Sequence, residues 1–440
     1  MPSQMRPPPE SARQFRSIRA LLVAALLTST MLWLIAPAPA AQAAFVGKND
    51  WIVFSALMGD GSVRVFRQGP NGSLVDLTGT NATPTIEGNL NYSPAWSPEQ
   101  GAHVAFVSAK KTPGGHGPGD VYWAVPFPDK EHRAGLVNLT HSTDADDESP
   151  AWDFTGGKLT WARAKVNGGV TRPFDIWRVT WTGREPSDLT PGTRQVDDIE
   201  PAWAPRSVEI AFASNRTDRS GHTTGATYGI WLMNAATGEI ERRITSNGRA
   251  PNWSPSGNLI TFVRGGEIWT IHSNGKGAKQ LTHESPHLAD KPVFSPDGEK
   301  ILYQEGRLNG ALPQETIDLA TINVDGSGRK LVVTDLRFHG QSEPDWKPGC
   351  SVHPKKVHGS WVINGTNGPD LICFEKVPTT IFADGGNDSI YGGPADNVIN
   401  AGGGDDIVLG AKGNDVLNGD AGNDYLEADD GNDKIVGGPG

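Results

Sequence analysis

Acidic residues recur at a fixed spacing near the C-terminal end of the 440-residue chain. In registers of nine counted from Lys356, the sixth position holds an aspartate or asparagine seven times. These residues are Asp370, Asp388, Asn397, Asp406, Asp415, Asp424 and Asp433. The eighth position is aliphatic in every register, and glycines precede most of the acidic positions. Carboxylates and the carbonyls that glycine turns expose are hard oxygen donors, which suit a divalent cation.

This pattern resembles the RTX, or haemolysin-type, repeat G-G-x-G-x-D-x-U-x, in which U is aliphatic. The resemblance implies a parallel β-roll that holds calcium over residues 356–440. Two registers make one coil, so residues eighteen apart stack in two ladders, Asp370 to Asp424 and Asn397 to Asp433. We expect several calcium sites between consecutive carboxylates, and a weaker site beside the neutral Asn397. The roll should fold with its metal, because apposed carboxylates repel each other without it.

A longer repeat covers residues 45–348. The phrase Pro-x-Trp, once Pro-x-Phe, recurs at intervals of about fifty residues. Its aromatic residues are Trp96, Trp152, Trp203, Trp253, Phe294 and Trp346. After each of the first five come short β-branched and aromatic runs bounded by Gly, Asn, Asp and Pro, which predict a four-stranded unit. Repeated units of this length predict a propeller, with the aromatic anchors packed between its blades.

The array is incomplete at both ends. Residues 51–78 supply three strands without a preceding Pro-x-Trp strand, and no strands of the repeat follow Trp346. We therefore predict that the last strand completes the first blade, which gives six blades and removes the open sheet edges. The fold class is all-β, a six-bladed β-propeller followed, after a linker at 349–355, by a parallel β-roll. The repeat resembles that of TolB-like (WD40-like, PD40) propellers, and this resemblance implies a partner at the mouth of the central channel.

Charged residues just before the anchor prolines are the candidate contacts for such a partner. Glu148, Glu200, Arg249, Lys291 and Glu343 should gather around the channel, where mixed charges suit a protein, a peptide or a glycan. The alternative is that they are solvated loop residues, because loops lie on the surface.

No motif identifies an active site. The string HESPH at 283–287 matches the zinc-protease pattern H-E-x-x-H, but that pattern needs a helix, and Pro286 and the adjoining strands oppose one. No nucleophile elbow, P-loop or dinucleotide fingerprint occurs. The sequence favours a propeller that binds without catalysis. A hydrolase or lyase acting on peptide or polysaccharide in the channel is the alternative, and a propeller serving as spacer for an adhesive roll is a third.

The first 43 residues indicate export. Basic residues precede an apolar run at 20–36 and small residues that end in Ala41-Gln42-Ala43, a pattern typical of a secretory signal peptide. A retained signal anchor is the alternative, and no other stretch is apolar enough to span a membrane. We expect a secreted protein, free or attached to the cell surface. In that oxidising compartment Cys350 and Cys373 could form a disulfide, or remain two unpaired thiols.

The net charge of -11 argues against nucleic acid as a partner, because phosphate binding needs clustered Lys and Arg. The acidity is concentrated in the tail, where 12 Asp and 2 Glu face 5 Lys over 351–440. Bound calcium would offset much of this charge.

Overall fold

The computed structural model describes residues 49–440 apart from internal segments. Those outside the description are 59–61, 70–71, 79–85, 87–88, 99–102, 113–114, 125–135, 168–169, 172, 192–194, 206, 224–226, 284–286, 308–315, 338–343, 349–354, 359, 368–369, 374–377 and 394. The described residues form thirty-five β-strands and no helix, which confirms the all-β class. None of them forms a helix that could cross a membrane. The predicted signal peptide, 1–43, lies outside the described residues.

The first two repeats of the propeller form one eight-stranded sheet. Its strands are β1 (Asn49–Leu57), β2 (Val63–Gln68), β3 (Leu74–Asp76), β4 (Leu90–Trp96), β5 (Val104–Thr112), β6 (Gly115–Ala124), β7 (Leu136–Asn138) and β25 (Asp345–Pro348). Strand β25 pairs antiparallel with β1, with Ile52 opposite Trp346. The last propeller strand therefore completes the first sheet, as the sequence predicts.

Four further sheets stand separately. The third repeat is five-stranded, with β8 (Ala145–Trp152), β9 (Lys158–Asn167), β10 (Val170–Thr171), β11 (Asp175–Thr180) and β12 (Ser187–Asp188). The other three are four-stranded and antiparallel, with β13 (Asp198–Trp203), β14 (Glu209–Ser214), β15 (Gly229–Asn234), β16 (Ile240–Thr245), β17 (Arg249–Trp253), β18 (Leu259–Arg264), β19 (Glu267–His272), β20 (Lys279–Gln280), β21 (His287–Phe294), β22 (Lys300–Arg307), β23 (Thr316–Asn323) and β24 (Lys330–Arg337).

The predicted count of six separate blades is wrong. Four blade sheets stand alone among the described residues, and the first two repeats are joined where Val63 of β2 pairs in parallel with Leu90 of β4. The side-chain amide of Asn91 donates to the carbonyl oxygen of Val63 at 2.9 Å and strengthens this junction. The innermost strands of the repeats, β4, β8, β13, β17, β21 and β25, nevertheless line one cavity.

The aromatic anchors hold neighbouring repeats together. The indole Nε1 of Trp152 donates to the carbonyl oxygen of Ala95 at 3.2 Å, and that of Trp253 donates to Ala202 at 3.2 Å. Trp253 also packs in an apolar cluster with residues of the preceding repeat, including Ile230. Trp152 and Trp253 thus bury their rings and also satisfy their indole N–H groups.

The C-terminal part is a roll of two parallel sheets. One sheet contains β26 (Lys355–Val357), β27 (Ser360–Thr366), β29 (Thr379–Asp384), β31 (Val398–Asn400), β33 (Val416–Asn418) and β35 (Lys434–Val436), and the other contains β28 (Leu371–Cys373), β30 (Ser389–Tyr391), β32 (Ile407–Leu409) and β34 (Tyr425–Glu427). Only β26 is antiparallel to its neighbour. The parallel strands pair eighteen residues apart, as in Ile381 with Ile399, which confirms two registers per coil. Eighth-position residues from Ile363 to Leu417 fill the interior.

Candidate calcium ladders and propeller cavity

Sixth-position carboxylates stack along the roll as predicted from their spacing. The backbone N–H of Asp370 donates to Oδ1 of Asp388 at 2.8 Å, and that of Asp388 donates to Oδ1 of Asp406 at 2.7 Å. The N–H of Asp406 donates in turn to Oδ1 of Asp424 at 3.0 Å. Each carboxylate therefore uses Oδ1 to fix the register of the coil before it.

The second ladder has the same geometry but begins at an amide. The N–H of Asn397 donates to Oδ1 of Asp415 at 2.7 Å, and that of Asp415 donates to Oδ1 of Asp433 at 2.8 Å. The side-chain Nδ2 of Asn397 donates to the carbonyls of Gly392 and Ala395. Asn397 therefore lacks a charge and also occupies two turn carbonyls that would otherwise be open to a cation, which supports the weaker site predicted there.

In two ladder carboxylates, Asp415 and Asp424, the second oxygen, Oδ2, is the atom open to a cation. In both residues it is buried and receives no hydrogen bond from the described residues. It occupies the space that a side chain would need at the first position of these two registers. The Oδ2 atoms of Asp415 and Asp424 lie 2.7 and 2.5 Å from where a Cβ would stand on Gly410 and Gly419. These orphaned oxygens and their glycine cradles fit a bound cation.

Turn carbonyls must complete any calcium shell. Among the described residues no three His, Cys, Asp or Glu side chains gather as a metal-binding group. Calcium takes six to eight oxygens, so two ladder carboxylates per site leave most positions to the backbone. Fourth-position glycines make this possible, because Gly404 and Gly422 have φ values of +135° and +142°. Only glycine adopts such a conformation readily.

The electrostatics of the ladders also favours a cation. Burial raises the pKa of Asp415, and the neighbouring charge of Asp433 raises it further. Burial likewise raises the pKa of Asp424, with a contribution from Asp405 and Asp420. A divalent ion would remove this repulsion, because it becomes the largest local charge.

A further set of ladders was not predicted from the sequence. Fifth-position Asn and Asp residues accept backbone N–H groups from the next coil, which is the opposite direction to the sixth position. The N–H of Asp405 donates to Asn387 Oδ1 at 3.0 Å, and that of Asn423 donates to Asp405 Oδ1 at 2.9 Å. On the other side of the roll, Asn414 donates to Asp396 Oδ1 at 2.7 Å. The sequence signal for these fifth-position ladders is the Asn-Asp or Asp-Asp dipeptide that recurs in the clearest registers.

The propeller surrounds a cavity of about 250 Å³. Its walls are mainly the anchor prolines, the anchor aromatics and the small residues between them. In the five repeats where it is described, the residue directly before the anchor proline has a positive φ near +50° and lies at a β-bulge. These residues are Ser93, Ser149, Glu200, Ala250 and Lys291.

Three predicted partner residues lie together. Lys291 Nζ donates to Glu200 Oε1 at 2.6 Å, and the backbone N–H of Ala250 donates to Glu200 Oε2 at 2.6 Å. The guanidinium Nη1 of Arg249 lies 3.6 Å from Glu200 Oε1, and its Nη2 forms a salt bridge with Asp290 Oδ2. Burial would raise the pKa of Glu200, but Lys291 and Arg249 outweigh it and hold the pKa below its usual value.

Two of the predicted partner residues, Glu148 and Arg249, do not line this cavity. The bulge puts the residue directly before the proline at the cavity, so Ser149 and Ala250 line it, whereas Glu148 and Arg249, one residue earlier, do not. Glu343 lies outside the described residues. Among the described residues directly before the anchor prolines, only Glu200 and Lys291 bring charge to the cavity wall, whereas Ser93, Ser149 and Ala250 are small and uncharged.

Asp345 is a cavity residue that the sequence analysis missed. Its Oδ2 accepts the N–H of Trp96 at 2.7 Å, and its Oδ1 accepts the N–H of Trp346 at 2.9 Å. Burial raises the pKa of Asp345 to about 7. The residue stands between the proline and the aromatic of its motif, a position that is alanine in three other repeats.

Two further predictions, a zinc site at 283–287 and a disulfide, involve residues outside the described part of the chain. His287 begins strand β21, whereas a zinc site of the H-E-x-x-H type needs a helix; residues 284–286 lie outside the description. Cys350 also lies outside it, so its pairing with Cys373 stays a prediction.

The comparisons with known proteins agree with the geometry of the roll. Residues 379–408 and 409–440 match the family described as RTX calcium-binding nonapeptide repeat. The chain thus carries RTX calcium-binding repeats, which confirms the resemblance drawn from its nine-residue period.

Curated relatives match the chain over short stretches. The uncharacterized peptidase YuxL of Bacillus subtilis is 29% identical over 121 residues, 25% of this chain and 17% of YuxL. The uncharacterized protein YidR of Escherichia coli is 36% identical over 108 residues, 23% of this chain and 24% of YidR. The chain thus spans less than a quarter of these curated relatives. A solved structure described as TolB from Agrobacterium tumefaciens is 16% identical, with a TM-score of 0.43, over 68% of this chain and 99% of that one.

Proposed function

We propose that this chain is an exported calcium-binding protein whose propeller binds a protein, peptide or glycan partner without catalysis. The observation that carries the calcium assignment is the stacked carboxylate ladder, in which the Oδ2 atoms of Asp415 and Asp424 are buried without a hydrogen bond from the described residues. The RTX match supports the same ion. The basic and apolar N-terminal segment supports export.

The residues that would hold calcium are the ladder carboxylates and the carbonyls of the glycine turns. Bound calcium would supply positive charge between coils that otherwise place carboxylates against one another. The chain's own part is to set the spacing, since Oδ1 of Asp388, Asp406 and Asp424 already fixes each coil to the one before. The Oδ2 atoms of Asp415 and Asp424 would then be available to a bound cation.

The propeller cavity supports binding more than catalysis. Glu200 and Lys291 neutralise each other, so neither is an obvious free acid or base. A hydrolase or lyase acting on peptide or polysaccharide is the second candidate, and Asp345 favours it because burial places its pKa near 7. Both Asp345 oxygens, however, accept backbone N–H groups. Turnover by the native chain that disappears in Asp345→Asn would establish the second candidate.

Calorimetric titration of the full chain with calcium tests the metal assignment. The chelator-treated protein should bind several ions and gain β-structure by circular dichroism. Asp406→Asn should weaken binding by about tenfold or more, because Asp406 lies between two predicted sites and loses a carboxylate in both. Asn397→Asp is the matched control and should strengthen binding, because it adds a charge and frees two carbonyls.

A native chain that takes up no calcium and shows no spectral change would overturn the assignment. Equal effects of Asp406→Asn and Asn397→Asp would contradict the ladder geometry.

Capture of soluble components from the surrounding medium tests the propeller. Ala151→Arg places a long side chain in the cavity wall and should abolish capture, because the cavity holds only about 250 Å³. Val208→Arg is the matched control, since Val208 is 50% exposed and does not line the cavity. Capture that survives Ala151→Arg, or that Val208→Arg also abolishes, would contradict binding in the cavity.

A further inference from the structure

The third propeller repeat departs from the repeat motif at one position. In the other repeats the second residue after the anchor aromatic is proline, at Pro98, Pro205, Pro255, Pro296 and Pro348. In the third repeat it is Phe154, in the turn between β8 and β9. Proline suits this turn because its φ is preset, so an aromatic residue there calls for another reason.

Phe154 contacts the roll. It packs against a cluster formed by Tyr391, Ile407 and Leu409, and its ring meets that of Tyr425 edge-on at 5.6 Å between centroids. Tyr391, Ile407 and Leu409 stand at the seventh or ninth position of their registers, where side chains point away from the roll interior. They are nonetheless only 3–4% exposed. The outer face of β30 and β32 is therefore a docking surface for the propeller.

The other sheet of the roll has no such cover over the equivalent positions. Phe382 and Val398, at a ninth and a seventh position, are 42% and 40% exposed. Outward-pointing apolar side chains are therefore buried on the sheet that faces the Phe154 turn and exposed on the other sheet.

Each docking strand begins directly after a ladder carboxylate. Ile407 follows Asp406, and Tyr425 follows Asp424. The N–H groups of Ile407 and Tyr425 donate to the carbonyls of Asp388 and Asp406 in the preceding coil, at 2.9 and 2.8 Å. Any change in the spacing of the ladder therefore moves the side chains that Phe154 contacts.

Phe154 also lines the propeller cavity, together with Asp153. Burial raises the pKa of Asp153, and Glu427 of the roll raises it further. Because these like charges oppose the contact, docking depends on the apolar surface around Phe154. That surface combines side chains from β30, β32 and β34, so it is complete only when these coils are stacked.

We propose that calcium bound in the roll holds the Phe154 turn and, through it, one wall of the propeller cavity. The inference rests on the proposed calcium binding and extends it to the cavity. The coupling is reciprocal, so a ligand that presses on Phe154 from inside the cavity changes the calcium affinity of the roll by the same factor.

Hydrogen exchange of the full chain, with calcium and with chelator, tests this coupling. Amides of the turn at 153–158 should exchange about tenfold more slowly with calcium, because docking suppresses local opening. Phe154→Pro restores the residue of the other repeats and should keep the fold and calcium binding, but lose the calcium-dependent slowing.

The turn at 254–259 is an internal control. Gly257 donates to the Ser254 carbonyl and Leu259 to Ser254 Oγ, as Gly156 and Lys158 do to Asp153. It carries Pro255 in place of Phe154 and should exchange equally in both conditions.

Calcium uptake without a change at 153–158 would overturn this inference and leave the proposed function standing. No calcium uptake would overturn both. Equal slowing at 153–158 and 254–259 would show a general stabilisation and would also contradict the inference.

Discussion

Asp345 stabilises the backbone of two strands with one side chain. It accepts N–H groups from Trp96 of β4 and from Trp346 of its own strand. In the fifth repeat Asn252 occupies the same motif position, and its Oδ1 accepts the N–H of Phe294 at 3.0 Å. The same contact is thus made by a neutral amide in one repeat and by a titrating carboxyl in another.

Asp345→Asn should remove a pH dependence from the stability of the propeller. The pKa of Asp345 is about 7 in the folded chain, against an ordinary value of 3.8. A raised pKa favours the folded state at low pH, and this contribution is lost as pH rises from about 4 to 7. The urea concentration at which Asp345→Asn unfolds should therefore differ less between pH 5 and pH 8 than that of the native chain.

Asp144→Asn, at an exposed aspartate of the propeller, is the control and should keep the native pH profile. A native profile in Asp345→Asn would show that the buried carboxyl does not control it.

Among the elements of the molecule, the turns of the roll tolerate a side chain at one glycine and not at the next, according to which glycine has a positive φ. A Cβ on Gly404 would lie 2.1 Å from the carbonyl oxygen of Gly386 in the preceding coil. One residue earlier, a Cβ on Gly403 would meet no atom within 4 Å. Two adjacent glycines of one repeat therefore have different tolerance for a side chain.

Gly404→Ala should weaken calcium binding by about tenfold or more, because it strains the backbone and separates two coils. Gly403→Ala should stay within about twofold of the native affinity, because its methyl group enters open space. Calorimetric titration of both variants gives the comparison. Similar losses in the two would contradict the role assigned to the turn.

Much of the roll could be predicted because its period is short and each position has one role. The aliphatic eighth position marks the interior of the roll, and the acidic sixth position marks the ladder of the turn. The pairing of Ile381 with Ile399 could therefore be predicted from the spacing. The fifth-position ladders did not, because Asn and Asp are also ordinary turn residues.

The propeller was harder to predict in detail. A bulge adds one residue to a strand, so the choice between Glu148 and Ser149 at the cavity depends on backbone geometry and not on residue type. The junction of Val63 with Leu90 is a backbone pairing without a side-chain signature. The role of Phe154 was hidden because its partners belong to another repeat type, more than two hundred residues away in the chain.

At the scale of the whole molecule, the pairing of β1 with β25 sets an order of events during synthesis. Ile52 is made early, but its partner Trp346 is made only when almost all of the propeller has left the ribosome. Until then β1 carries an unpaired edge, which is open to wrong partners. Such distant pairing also slows folding. The interval between these two strands is therefore the period in which this chain most needs to be kept apart from its copies.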